Sequence, residues 1–196
     1  MIDPTLRRHG LEPVGGGTAG TGVEVRIQAA LGFLNLRGNT GDRRFGDTVA
    51  GVLGQPLPLE PNTTTAGEHR IYWLGPDEWL IVIDAAKARA LTADLHETLN
   101  RVRHAVNNVS GGNVALRLAG PQARDVLATG CTLDFHPRVF GENCCAQSTL
   151  AKAGVLIGQV EPPDDFEIIV RRSFADYLVR WLLHASDSRG RSGLLG

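Results

Sequence analysis

From Val23 onward the chain alternates apolar and polar positions in short, well-bounded runs. "VEVRI" (23–27) alternates strictly and "FLNLRG" (33–38) closes on a glycine, so both read as strands. "DRRFGDTVAGVLG" (42–54) changes period. Phe45, Val49, Val52 and Leu53 fall on one helical face, and Gly54 stops the helix. A proline-rich connector, 55–65, leads to the strand-like "HRIYWL" (69–74) and "EWLIVID" (78–84). In 85–102 Leu91, Leu95, Leu99 and Val102 recur at helical spacing and predict one buried stripe. "HAVNNVS" (104–110) and "NVALRLAG" (113–120) return to strands, and "PQARDVLATG" (121–130) is a short helix with Pro121 at its start and Gly130 at its stop. The stretches 147–162 and 165–173 read as strands again. A last helix, 174–186, is expected to bury Phe174, Tyr177, Leu178, Trp181 and Leu182, with His184 in its final turn, where a cation suits the helix dipole.

The same order occurs twice. A strand, short helix and connector in 33–61 answer to those in 115–137. "YWLGPDEWLIV" (72–82) with its long helix answers to "LIGQVEPPDDFEIIV" (156–170) with its own. The offset of roughly 80 to 90 residues is too long for a solenoid repeat and indicates one duplicated module. Each copy carries an acidic, proline-containing corner between two apolar segments, followed by an aromatic residue, Trp79 or Phe166. Proline presets φ and aspartate bonds its own backbone, so Asp77 and Glu78 read as turn residues before they read as a catalytic pair.

Residues 1–21 read as a flexible arm and 186–196 as a flexible tail, around one folded unit at 22–185 made of pseudo-repeats at about 22–103 and 104–185. Gly15, Gly17 and Gly20 have the G-x-G-x-x-G spacing. A dinucleotide loop must follow a buried strand and open a helix, whereas here a strand follows the glycines, so the stretch is a linker.

Composition narrows the classes. With 42% hydrophobic and 21% charged residues and a formal net charge of −1, the chain has the material for a core and no global field to draw nucleic acid or an anionic membrane. No apolar run reaches about 18 residues, and the basic N-terminus has no apolar segment behind it, so neither a membrane helix nor a secretory signal is expected. Three cysteines, Cys131, Cys144 and Cys145, two of them adjacent, make a poor disulfide framework and point to a reduced, cytoplasmic setting.

Five motifs in order carry a family resemblance: "LGFLNLRGN" (31–39), "LPLEPNTT" (57–64), "WLGPDEWLIV" (73–82), "NNVSGGNVALRLAGPQARDVLATGCTLDFHP" (107–137) and "LAKAGVLIGQVEPPDDFEIIVRRSFADYLVRWL" (150–182). Together they resemble the gamma subunit of heterotetrameric sarcosine oxidase, over about residues 25–183. The second half also resembles, more weakly, the folate-binding domain of the glycine-cleavage aminomethyltransferase. The resemblance implies an α+β fold: a duplicated strand–helix–hairpin–helix module with strands exchanged between halves. It implies alpha, beta and delta subunits as partners, and FAD, FMN, NAD, tetrahydrofolate and zinc carried on those other subunits, with no cofactor on this chain. The implied role is a non-catalytic structural subunit supporting alpha and beta in the oxidative demethylation of sarcosine to glycine.

The chain departs from the catalytic relative where that relative carries acids. Asn108-Val109-Ser110 stands in place of "DVS", and 154–158, Gly-Val-Leu-Ile-Gly, in place of "GGIxDD". An aliphatic side chain cannot take a proton or pair with a developing cation, so folate chemistry would need a substitute. The alternatives are a stand-alone folate-binding or aminomethyl-transfer protein, or a free-standing small-molecule binding module.

His136, Cys144 and Cys145 offer metal-ligating atoms, but adjacent cysteines lack the C-x₂-C spacing that points two thiolates at one ion. Cys131 reads as a small buried apolar residue. No catalytic or metal residue is therefore assigned. The candidates for contact with partner subunits are Arg7, Arg8, Trp73, Trp79, Arg171 and Arg172, since arginine and tryptophan bury much area while offering donors. Arg171 and Arg172 read equally well as solvated charges at a strand end.

Overall fold

The computed structural model describes residues 22–161 and 163–192. They form two compact units, an inserted unit of residues 30–113 with 143–145, and an outer unit built from the segments on either side.

After β1 (Glu24–Gln28), which belongs to the outer unit, the inserted unit starts at β2 (Leu31–Gly38). Then follow α1 (Arg43–Leu53), β3 (Thr64–Ala66), β4 (Arg70–Gly75), β5 (Glu78–Asp84), α2 (Ala88–Thr98) and β6 (His104–Asn108). Its sheet has the order β3-β4-β5-β2-β6. Asp42 caps α1, its Oδ1 accepting from Arg44 N at 3.0 Å. The α1 stripe Phe45, Val49 and Leu53 and the α2 stripe Leu91, Leu95 and Leu99 are buried in one cluster with Leu34, Leu36, Ile71, Trp79 and Ile81 from the sheet, as the helical and strand periods require.

The outer unit comprises β1, β7 (Asn113–Ala119), α3 (Ala123–Ala128), β8 (Cys145–Leu150), β9 (Ala153–Glu161), β10 (Asp165–Arg171) and α4 (Ala175–Ser192). Its sheet has the order β1-β7-β10-β9-β8. Read from the other edge, it repeats the inserted sheet strand for strand, with β1 in the place of β6. Each sequence half thus lends its opening strand to the other half's sheet: β1 pairs antiparallel with β7, and β6 with β2. That is the expected exchange. β5 and β10 are each buried at five consecutive positions, so they read as unbroken apolar runs in place of an alternation.

The last helix departs from expectation. Its buried stripe is Ala175, Leu178, Val179, Leu182 and Ser186, a regular i, i+3, i+4, i+7, i+11 series, whereas Phe174 and Tyr177 are exposed and Trp181 is half-buried. Phe174 belongs to the tight turn Arg172–Phe174 that precedes the helix. Leu178 and Leu182 are buried as expected, whereas residues 174, 177 and 181 form a neighbouring stripe about 100° around the helix, given its 3.6-residue period, so the expected stripe mixed two faces. The helix also continues to Ser192, which puts His184 in mid-helix and removes the C-terminal dipole argument for it. No helix among the described residues is long and apolar enough to cross a membrane.

Candidate functional site

The acidic corners are the places where sequence put carboxylates between apolar strands, and the sheets show what each carboxylate does. In the inserted unit, Pro76 and Asp77 form the two-residue turn joining β4 to β5. The Asp77 carbonyl accepts from Gly38 N at 3.0 Å, Glu78 Oε1 accepts from Asn35 Nδ2 at 2.8 Å, and Arg37 lies 3.6 Å from Asp77 and 3.8 Å from Glu78. Gly38 is bare for a reason: a Cβ there would come within 2.1 Å of the Phe45 ring. The pair is a turn. Asp77→Asn is expected to change stability by less than about 0.5 kcal/mol, because its side chain makes only an exposed ion pair and asparagine suits the same turn. A thermal melt checks this, and a loss of several degrees would return Asp77 to the list of functional side chains.

The outer unit repeats the corner with stronger ties. Gly120 N donates to Asp164 O at 3.0 Å, in the place of the Gly38–Asp77 bond. Gly120 has φ +123°, and a Cβ on it would meet Gly22 O at 2.0 Å, so only glycine fits. Arg117 Nε donates to both oxygens of Asp165, at 2.8 and 2.9 Å, and its Nη2 pairs with Asp165 and, at 3.2 Å, with Glu161. The hydrogen bond to Asp165 raises the Arg117 guanidinium above its ordinary value. Arg124 Nε donates to Asp164 Oδ1 at 2.6 Å, Nη1 to the carbonyls of Phe135 and Phe140 at 2.5 and 2.8 Å, and Nη2 to Pro163 O at 2.6 Å. Its guanidinium carbon lies 5.0 Å from the centre of the Phe166 ring.

An open cavity of about 310 Å³ is lined by Ala119, Gly120, Pro121, Glu161, Pro163, Asp164 and Asp165. Its aspartates are already acceptors for arginine. Asp165 is held through both oxygens by Arg117, and Asp164 through Oδ1 by Arg124. On β10, Glu167 is fully buried and accepts from Gln28 Nε2 at 2.8 Å. Asn108, in the place of the relative's acid, closes a turn, its Oδ1 accepting from Ser110 N at 3.1 Å and Ser110 Oγ at 2.6 Å, while Ser110 Oγ accepts from Phe33 N at 2.9 Å. Residues 155–159 of β9 are buried and hold no titratable side chain.

The interface candidates separate. Trp79 is fully buried, with its indole N–H donated to Pro58 O at 2.8 Å and its ring 6.0 Å from Phe45, so it is a core side chain and presents no contact surface. Trp73, its Cα partner across β4 and β5, is half-buried. Arg171 is exposed at the end of β10, and Arg172, half-buried, opens the turn before α4. Arg7 and Arg8 lie outside the described residues. Sequence reasoning passed over Arg117, Arg124 and Asn35, since nothing local marks an arginine whose partner is 40 or 48 positions away.

Cys131 is buried, and its Sγ lies 3.4 Å from Ser148 Oγ. His136 is exposed, its Nδ1 accepting from Arg138 N at 3.2 Å. Cys145 is buried, its thiol donating to Thr63 O at 3.3 Å, and burial pushes that thiol up to about 12. An unfolded cysteine titrates near about 8.5. Between these values the folded chain holds a proton that the unfolded chain has lost, so the thiol's contribution to stability falls as pH rises from about 8.5 and levels off above about 12. Native protein at pH 8 is expected to leave Cys145 unalkylated, and denatured protein to alkylate all three cysteines, as read by mass spectrometry.

Among solved structures, this architecture is shared with glycine cleavage system aminomethyltransferase T from Bartonella henselae, with a TM-score of 0.62 at 19% identity over 83% of this chain and 45% of that one. The fold is thus of the aminomethyltransferase type. A profile of the sarcosine oxidase, gamma subunit family matches residues 37–188, and the chain belongs to that family. The sarcosine oxidase subunit gamma of Corynebacterium sp. (strain P-1) is 33% identical over 172 residues, 87% of this chain and 82% of that protein. The heterotetrameric sarcosine oxidase from Corynebacterium sp. U-96, in complex with pyrrole 2-carboxylate, contains a chain that superposes with a TM-score of 0.84 at 27% identity, covering 96% of this chain and 95% of that one.

Proposed function

We propose that this chain is a non-catalytic structural subunit of a cytoplasmic heterotetrameric sarcosine oxidase, packing against alpha, beta and delta subunits that carry the flavins, NAD, tetrahydrofolate and zinc. The observation that carries the reading is family membership combined with a corner whose aspartates are held by Arg117 and Arg124. A fold used elsewhere for folate chemistry keeps its frame here while its acidic positions are filled by turn-closing and aliphatic residues. Such a chain contributes surface and rigidity to an assembly, and the substrate meets other subunits. The residues at the folate positions, Asn108 and the aliphatic 155–157, do not fit a proton-transfer role toward tetrahydrofolate.

The test is affinity purification of the full chain from its native cells in mild salt, with partner identification and a visible spectrum. Large co-eluting chains with flavin absorbance and sarcosine-dependent peroxide formation are expected. A colourless chain eluting alone, or tight tetrahydrofolate binding by that isolated chain, would overturn the reading.

A further inference from the structure

His96 stands near the end of α2 and His104 opens β6, both in the inserted unit. His96 Nε2 lies 3.1 Å from Val106 O, and His104 Nδ1 lies 2.8 Å from Val102 O. A carbonyl oxygen carries no proton, so at both contacts the ring nitrogen is the donor. That sets the proton on Nε2 of His96 and on Nδ1 of His104. The remaining nitrogens, His96 Nδ1 and His104 Nε2, face each other at 3.0 Å, with ring centres 5.1 Å apart. In two neutral rings these would be opposed lone pairs at hydrogen-bond distance, an arrangement that repels. A further proton between them converts the contact into an N–H···N bond.

We propose that His96 and His104 share one proton, and that this imidazolium–imidazole pair is a pH-sensitive clamp holding the end of α2 to the edge strand β6. The strand needs it, because β6 is bonded to β2 along one side only and lies at the sheet edge. Removing the shared proton turns one ring away and frees the Val106 or the Val102 carbonyl. Adding a second makes both facing nitrogens donors. The clamp therefore closes only in the one-proton state.

The surroundings do not supply a competing partner. β2 places Gly38 opposite His104 and Arg37 opposite Ala105, α2 itself carries Arg89, Asp94 and Glu97, the loop before β6 carries Arg101 and Arg103, and α1, packed on α2, carries Arg43, Arg44 and Asp47. Neither imidazole makes a salt bridge with any of them. A zinc-like ion takes nitrogen at about 2.0–2.1 Å, so it cannot sit on the line between the two facing nitrogens.

The test is ¹⁵N NMR of histidine rings in the full-length chain across a pH series, with and without EDTA. Three protonated nitrogens and one bare one across the pair, with ¹⁵N–¹⁵N coupling through the hydrogen bond and no effect of EDTA, are expected. A series that reaches the one-proton state without that coupling would overturn the proposal, and so would a pattern that EDTA changes, which would mean a bound metal. Amide exchange in β6, corrected for intrinsic rates, should pass through a protection maximum with pH. On the alkaline side it should lose about tenfold, the order of one charge-assisted hydrogen bond. His96→Gln and His104→Gln should flatten that profile. An unflattened profile would remove the clamp, and if a variant fails to fold, the wild-type proton count still decides.

Discussion

Arg124→Ala is expected to destabilise the outer unit by about 3–5 kcal/mol, the range for removing one partner from a desolvated ion pair. The Arg124 side chain is 13% exposed and that of Asp164 21%, so water cannot easily replace the guanidinium. Truncation strands three acceptors together, the Asp164 carboxylate and the carbonyls of Phe135 and Phe140, while Pro163 O keeps the Gln159 Nε2 donor at 2.8 Å. It also uncovers the face of Phe166, itself fully buried and packed edge-on against Phe135, whose ring centre is 6.2 Å away. Arg124→Lys is not expected to rescue it, because a lysine ammonium lacks the planar fork that reaches three directions at once. The check is a urea transition. A loss of this size moves the midpoint by roughly 2 M at a typical urea slope. Arg117, at 34% side-chain exposure, should cost clearly less despite its bidentate bond, and equal losses would contradict the role of burial.

Trp79→Ala in the inserted unit has an expected cost in the same range, about 3–5 kcal/mol. The ring is fully buried among Leu36, Phe45 and Ile81, and removing it leaves a cavity that two helices and a sheet cannot close without moving. Trp79→Phe separates the contributions. It keeps most of the apolar volume but deletes the N–H that serves Pro58 O, which should cost about 1–3 kcal/mol on its own. Urea unfolding followed by circular dichroism measures both. If Trp79→Ala were nearly neutral while partner binding failed, Trp79 would be an interface anchor after all.

Much of this was legible in the sequence, and the legible parts share a cause. Asp42 before α1, Gly54 after it, and Pro76-Asp77 between strands act on their own backbone, so neighbouring residues suffice to read them. The stripes Phe45, Val49, Leu53 and Leu91, Leu95, Leu99 were found because period decides which face is apolar. In residues 174–182 the same logic held for Leu178 and Leu182 and missed for the three aromatics. Two overlapping stripes, one aromatic and one aliphatic, both satisfy the helical period there, and only the sheet beneath decides which is buried.

The candidate site was less legible than the fold. Its carboxylates were visible and correctly read as turn residues at Asp77, but their restraint at Asp164 and Asp165 was not. Arg117 and Arg124 reach them across 48 and 40 positions, and sequence spacing carries no signal at that range.

By itself, then, the sequence determined a duplicated α+β chain of the sarcosine oxidase gamma subunit family. Tertiary structure alone decided which strands make the expected exchange, β1 and β6, that Trp79 is core while Phe174 and Tyr177 face outward, that two arginines hold the outer corner, and that His96 meets His104. The division follows from range. Turns, caps and periodicity are set by torsions of adjacent residues, whereas pairing and burial depend on which distant groups leave water together.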